Sequence, residues 1–228
     1  MKTLLDIIFP PLCLHCEYSL HKSHHLFCKG CAGFFELIDP LSRCPYCFAQ
    51  NEGIRRPCIE CMQKKRWQVK IASALDYLGA VRTLVKKLKY GSMPYLAKTG
   101  AAFMVAQFIR LEWPKPDLII PVPRRHWFQG VNHAQLLAKC LANNLQTQCL
   151  PMIKRKAGDF SQARLSKTQR EQLPSTSFHL KKGAIVEDKI ILLVDDVVTT
   201  GTTLRHTAEA LANSFPAKIF ALTLARTI

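Results

Sequence analysis

The chain of 228 residues has no GxxxxGK[ST] loop and no GxGxxG run, which sets aside Walker-type nucleotide binding and dinucleotide cofactors on a Rossmann fingerprint. No apolar run approaches the roughly 18 to 20 residues needed to cross a bilayer. The opening Met1-Lys2-Thr3-Leu4-Leu5-Asp6 lacks the apolar segment and small-residue cleavage site of a signal peptide, so a cytoplasmic protein without membrane insertion is expected. Acidic residues are scarce: 16 Asp and Glu face 32 Lys and Arg, a formal net charge of +16. The imbalance is uneven, with 9 basic against 6 acidic residues in 1–66 and 23 against 10 in 67–228. A field of that sign in the larger part points to anionic ligands. No internal repeat exists beyond paired cysteine knuckles at the front.

Cysteine is abundant. Eight of the 10 fall into CxxC pairs, Cys13/Cys16, Cys28/Cys31, Cys44/Cys47 and Cys58/Cys61. Two thiolates three residues apart take two corners of a tetrahedron and a second pair closes it, which is the spacing of structural zinc. Sequential pairing gives two similar ribbons with two Zn2+ ions; a crossed pairing or a single occupied site is also compatible with the spacing. Closed four-thiolate sites leave no position for water or substrate, so residues 1–66 are read as a double zinc-ribbon module that folds or binds and does not catalyse, and that needs metal to fold. His15, His21, His24 and His25 read as solvated surface residues. Cys140, in the apolar stretch 136–145, reads as a buried inert thiol.

The chemistry concentrates near the C-terminus. Ile190-Ile191-Leu192-Leu193-Val194 reads as a strand covered on both faces, and Asp195-Asp196 follow it. The turn Thr199-Thr200-Gly201-Thr202-Thr203 comes next, and Leu204, Ala208 and Leu211 then recur at helical spacing. In open α/β sheets ligands bind beyond the carboxyl ends of strands. The helix start and the threonine hydroxyls suit a phosphate, and Gly201 permits close backbone approach. Paired carboxylates suit ribose hydroxyls or water-held Mg2+ rather than the phosphate itself. The pattern is that of a phosphoribosyl diphosphate pocket and resembles the signature of type I phosphoribosyltransferases.

Upstream, Lys64-Lys65-Arg66 reads as a junction opening a second domain, 67–228. Residues 71–78 read as a strand, a helix carries Val81, Leu84, Val85 and Leu88, and the cations Arg82, Lys86, Lys87 and Lys89 on it have no acid to offset them. A helical run over 101–111 and a strand over 118–120 follow, and the strand empties into Pro121-Val122-Pro123-Arg124-Arg125. Arg124 and Arg125 are placed to bind a departing diphosphate bidentately. Gly130 relieves a turn before a helix from about His133. Residues 154–182 read as a long basic loop, either a lid over the diphosphate or a contact for a nucleic-acid backbone. Residues 218–224 form a last strand.

Four CxxC pairs, Leu88-Lys89-Tyr90-Gly91, Pro121-Val122-Pro123, Gly130-Val131-Asn132, Ser161-Gln162-Ala163-Arg164-Leu165 and the signature around 195, in that order, resemble the ComF family over nearly the whole chain. The resemblance implies an α/β, type I phosphoribosyltransferase fold behind a small zinc-ribbon module. It implies a role in competence, where imported single-stranded DNA arrives and a DNA-uptake helicase is a partner; some members are named for gluconate utilisation. Four positions depart from the family pattern, and a fifth differs from the purine enzymes of the same fold. Gln129-Gly130-Val131-Asn132-His133 stands where Arg-Gly-Phe-Asn-Gln is usual, Leu173 stands where Asn is expected after Arg170, and Thr199 replaces the acid typical of enzymes acting on 6-oxopurines, against purine salvage. The expected function is therefore a ComF-like protein that binds phosphoribosyl diphosphate with Mg2+, and single-stranded DNA, during DNA uptake. The alternative is an active phosphoribosyltransferase with an unassigned acceptor, in which Asp195, Asp196, Arg124 and Arg125 serve catalysis and Thr199, Thr200, Gly201, Thr202 and Thr203 hold the 5'-phosphate.

Overall fold

The computed structural model describes residues 10–20, 22, 25–51, 56–63, 69–91, 93–124, 131–155 and 178–228. Its centre is a five-stranded sheet in the order β1-β7-β6-β2-β3, with every neighbouring pair parallel. The strands are β1 (Lys70–Asp76), β2 (Leu118–Pro121), β3 (Gln148–Cys149), β6 (Ile190–Val198) and β7 (Lys218–Arg226). Helices α3 (Gly79–Tyr90), α4 (Leu96–Arg110), α5 (His133–Leu145) and α6 (Thr202–Ala212) connect them.

The apolar run at 190 does what a doubly covered strand requires. Leu192 and Val194 pack with Leu84, Met104, Leu137 and Leu141 on the face of α3, α4 and α5. Ile191 and Leu193 pack with Ile71, Ile120, Leu204 and Leu211 on the opposite face, under α6. Alternation along the strand divides one sequence run between two cores, and each fully buried Leu or Ile contributes about 1.5–3 kcal/mol. Trp113, after α4, stacks on Phe220 of β7 with ring centroids 4.7 Å apart.

Two expectations change here. The strand at 190 extends to Val198 and stays paired with β7 as far as Arg226, so the acidic doublet lies within a hydrogen-bonded ladder. The stretch 154–182 is not loop throughout: its ends form the antiparallel pair β4 (Ile153–Arg155) and β5 (Phe178–Leu180), stitched by Ile153↔Leu180 and Arg155↔Phe178. Residues 156–177, with the Ser161 to Leu165 motif, Arg170 and Leu173, lie outside the described residues.

The cysteine-rich segment, with short helices α1 (Lys29–Ala32) and α2 (Ile59–Gln63), packs on the outer edge of β1. Leu37 bridges Leu75, and the Ile38 N–H donates to the Ala74 carbonyl at 3.0 Å, which gives that edge strand a partner. Gln107 of α4 donates to the Ile38 carbonyl at 2.9 Å. Arg43 reaches both carboxylate oxygens of Asp76, at 3.0 and 2.8 Å. Ile38 and Phe48 join the same apolar cluster as the sheet. The expected junction at 64–66 lies outside the described residues. Among the described residues, no helix is long and apolar enough to cross a membrane.

Candidate functional site

Unequal strand lengths create the site. β2 follows β6 only as far as Pro121↔Val194, where the Val122 N–H donates to the Val194 carbonyl at 2.9 Å. Beyond that point β6 continues with β7 alone, and the side it loses opens into a cavity of about 280 Å³. Asp195, Asp196, Arg124 and Thr203 line it, together with Lys89, Tyr90, Asn132, His133 and Arg155. The doublet therefore faces a space rather than packed interior.

Lys89, from the last turn of α3, places its Nζ 2.7 Å from Asp196 Oδ1. Burial opposes its charge, but the Asp196 carboxylate outweighs that and holds the ammonium above its ordinary value. The Asp196 N–H donates to Asp195 Oδ1 at 2.8 Å. Burial, aided by the Asp196 charge, nevertheless pushes the Asp195 carboxyl up to about 8, with that N–H and Lys89 acting in the opposite direction. Adjacent carboxylates in a half-closed site do not ionise independently. His133, the first residue of α5, is held below the ordinary imidazole value by burial and then by Arg124, so it is neutral at physiological pH.

The turn after β6 is shaped by its own residues. Gly201 has φ +76°, the left-handed region that favours glycine, and a Cβ there would also push Ile71 Cδ1 from its place at 2.9 Å. Thr200 Oγ1 lies 2.8 Å from Thr202 Oγ1, and Arg205 donates to the Thr200 carbonyl. Helix α6 starts at Thr202 with no side-chain cap from Gly201, and the Thr202 N–H donates to Thr200 Oγ1 at 3.4 Å. Thr203 reaches the cavity wall, whereas Thr199, Thr200, Gly201 and Thr202 form the turn beside it. Arg124 donates from Nη1 to the Val131 carbonyl at 2.8 Å, and Asn132 donates to the Val122 carbonyl at 3.2 Å, closing the loop between β2 and α5. Arg125 lies outside the described residues, as does Gly130.

Spacing gave no role in the cavity to Lys89, Tyr90, Asn132, His133 or Arg155, although all but Arg155 lay in or beside a motif. Lys89 sits inside the Leu88-Lys89-Tyr90-Gly91 motif, and His133 stands at a departure from the family pattern. Asn132 carried the turn motif without an assigned role, and Arg155 comes from the hairpin stem, where it lies 5.1 Å over the Phe178 ring.

The cysteines assemble in sequential pairing. The sulfurs of Cys13, Cys16, Cys28 and Cys31 lie within 4.8 Å of one another, as do those of Cys44, Cys47, Cys58 and Cys61. The Cys28 N–H points at Cys13 Sγ (3.4 Å) and the Cys58 N–H at Cys44 Sγ (3.3 Å), the backbone support a thiolate needs. Burial resists ionisation at both, yet these N–H groups and those of neighbouring residues bring Cys13 to about 6 and Cys44 to about 7. Four such donors without a further ligand suit a tetrahedral cation such as Zn2+. His15 is not part of either group: its Nδ1 pairs with Thr83 Oγ1 of α3 at 2.8 Å.

A sequence profile for the family described as "Phosphoribosyl transferase domain" matches residues 96–227. A DNA utilization protein of Salmonella typhi is 31% identical over 96% of this chain and 98% of its own length. Competence protein F of Haemophilus influenzae is 28% identical over 87% of this chain and 90% of its own, and competence protein ComFC of Bacillus subtilis 24% identical over 74% and 70%. With the parallel sheet, the crevice at the end of β6 and two front-end four-cysteine groups, these likenesses show that the chain belongs to the ComF family and carries a type I phosphoribosyltransferase domain.

Proposed function

We propose that this protein binds phosphoribosyl diphosphate with Mg2+ in the cavity at the end of β6, and single-stranded DNA on its basic surface, while handling DNA taken up into the cytoplasm. The observation that carries the reading is the convergence of Asp195 and Asp196 with Lys89, Arg124 and Thr203 around one space of about 280 Å³, beside the Gly201 turn. In this reading the doublet takes ribose hydroxyls, the Thr199 to Thr203 turn takes the 5'-phosphate, and Arg124 and Arg125 take the diphosphate. Mg2+, when bound, supplies charge neutralisation for the diphosphate. The two-part organisation, 1–66 as a double zinc ribbon with one Zn2+ in each four-cysteine group and 67–228 as the phosphoribosyltransferase-like part, belongs to the same proposal. Relatives that carry DNA utilization and competence in their names, and the excess of 23 basic over 10 acidic residues in 67–228, support the nucleic-acid half.

Titration calorimetry with phosphoribosyl diphosphate and Mg2+ tests the pocket. The wild type binds, and Asp195→Asn with Asp196→Asn weakens binding at least tenfold. Unchanged heats in the double variant overturn the assignment. One arrangement favours turnover as a second reading: Lys89, Arg124 and Arg155 converge on the cavity, a cationic surround of the kind that stabilises a departing diphosphate. Pyrophosphate release on adding nucleobases distinguishes an active phosphoribosyltransferase from a binding protein.

A further inference from the structure

Between Asp76 and Glu112 the chain holds no acidic residue at all, while it carries Arg82, Lys86, Lys87, Lys89, Lys98 and Arg110. This stretch is the helix pair α3 and α4. Lys89 is engaged with Asp196, and Arg110 donates to the Leu37 carbonyl at 3.4 Å beside Asp39. Arg82, Lys86, Lys87 and Lys98 are exposed and form no ion pair among the described residues. Arg82, Lys86 and Tyr90 follow one another at four-residue spacing, so they share one stripe of α3. The stripe ends at an elbow where two tyrosines stand in solvent, Tyr90 74% and Tyr95 53% exposed. Tyr90 also lines the cavity, so the stripe runs to the mouth of the site.

We infer that single-stranded nucleic acid lies along this face, its phosphates on Arg82, Lys86, Lys87 and Lys98 and its bases stacked on Tyr90 and Tyr95, with one end of the contacted segment at the cavity mouth. The inference rests on the nucleic-acid half of the proposed function and gives it a location. Charge complementarity selects the occupant: four exposed cations with no acid among them suit a polyanion, and exposed aromatic rings add base stacking that needs unpaired bases. Burial of the opposite side of α3 through Val81, Leu84, Val85 and Leu88 fixes which side faces out. A lone surface lysine needs no ligand to explain it; an acid-free pair of helices ending in two exposed tyrosines beside a sugar-phosphate cavity is a different case.

Fluorescence anisotropy with a labelled 20-nucleotide oligothymidylate, from low to moderate salt, tests the placement on the full metal-loaded chain. Replacing Arg82, Lys86 and Lys87 together by Ala reduces the magnitude of the slope of log affinity against log salt by about 2, at roughly 0.7 for each lost phosphate contact. Phosphoribosyl diphosphate binding is retained in that variant, since none of the three lines the cavity. Tyr90→Ala with Tyr95→Ala weakens single-strand binding by about tenfold or more and leaves duplex binding unchanged, whereas Tyr90→Phe with Tyr95→Phe keeps single-strand affinity. If the wild type binds the oligonucleotide and the triple variant matches it in affinity and slope, this face is overturned while the nucleic-acid reading stands. No binding by the wild type at low salt removes both. Retention of the face's charge effect only for vesicles containing phosphatidylserine, with none for the oligonucleotide, also overturns it.

Discussion

Replacing Asp195 by Asn separates what the site costs from what it does. Asp195 pairs with Thr223 across β6 and β7 and lines the cavity while partly covered. Burial first, and the Asp196 charge second, raise its carboxyl from 3.8 to about 8. A carboxyl with a folded-state value above its unfolded one keeps a proton in the native chain that the unfolded chain releases. Stability therefore falls as pH rises from about 4 to about 8. One proton limits the slope to about 1.4 kcal/mol per pH unit, and the remaining solvent contact reduces the total, so about 2 kcal/mol is expected between pH 5.5 and 8. Asn keeps the shape of the carboxyl without the charge. The variant then gains on the wild type by about 2 kcal/mol over that window, or about 4–8 °C in Tm for a chain of this size, while losing sugar-phosphate binding. Urea unfolding of the metal-loaded protein at several pH values measures the gap. Parallel wild-type and variant profiles refute the placement of Asp195 in a desolvated site.

The other expectations use different observables. Gly201→Ala puts a side chain at φ +76° against Ile71 Cδ1, so a loss of about 1–2 kcal/mol in unfolding and weaker calorimetric binding of phosphoribosyl diphosphate are expected together; wild-type values for both count against a glycine-dependent phosphate turn. Metal analysis should give two zinc ions per chain, and Cys13→Ser or Cys44→Ser each removes one; a wild-type content of one or none rejects the two-site reading. Chelation lowers the unfolding temperature of the whole chain in one transition, because the second four-cysteine segment is bonded to the sheet through Arg43 to Asp76 and Arg226 to the Cys47 carbonyl; a separate early transition that leaves the sheet's own melting unchanged contradicts that.

How much of this was readable in the amino-acid string depends on the range of each interaction. The run 190–194 announced a doubly covered strand because apolar continuity is local, and the structure places its alternate residues in two cores. Where the strand ends was not local: Asp195 to Val198 stay in the ladder because β7 runs alongside to Arg226, a pairing that no propensity at 195 encodes. The CxxC spacing gave both four-sulfur groups, but their sequential pairing is a matter of chain closure. Lys89 appeared as one cation on a basic helix, and its meeting with Asp196 depends on the packing of α3 over the sheet. Arg155 hid in a stretch read as loop because a three-residue strand needs its partner, Phe178, to exist.

The doublet raises an electrostatic difficulty that the structure answers. Two carboxylates beside the Thr199 to Thr203 turn would repel the phosphate that the proposed function places there. In the folded protein burial, aided by the neighbouring Asp196 charge, pushes the Asp195 carboxyl up to about 8, which lessens the negative charge it adds near neutrality. Lys89 lies against the Asp196 carboxylate at 2.7 Å, Arg124 and Arg155 line the same cavity, and burial with the Arg124 charge keeps His133 neutral. Three cations thus line the cavity beside the carboxyl oxygens, a combination that suits the diphosphate and the sugar hydroxyls of the proposed ligand. Lys89 carries a direct part of that balance, because its ammonium is ion-paired with the Asp196 carboxylate at 2.7 Å.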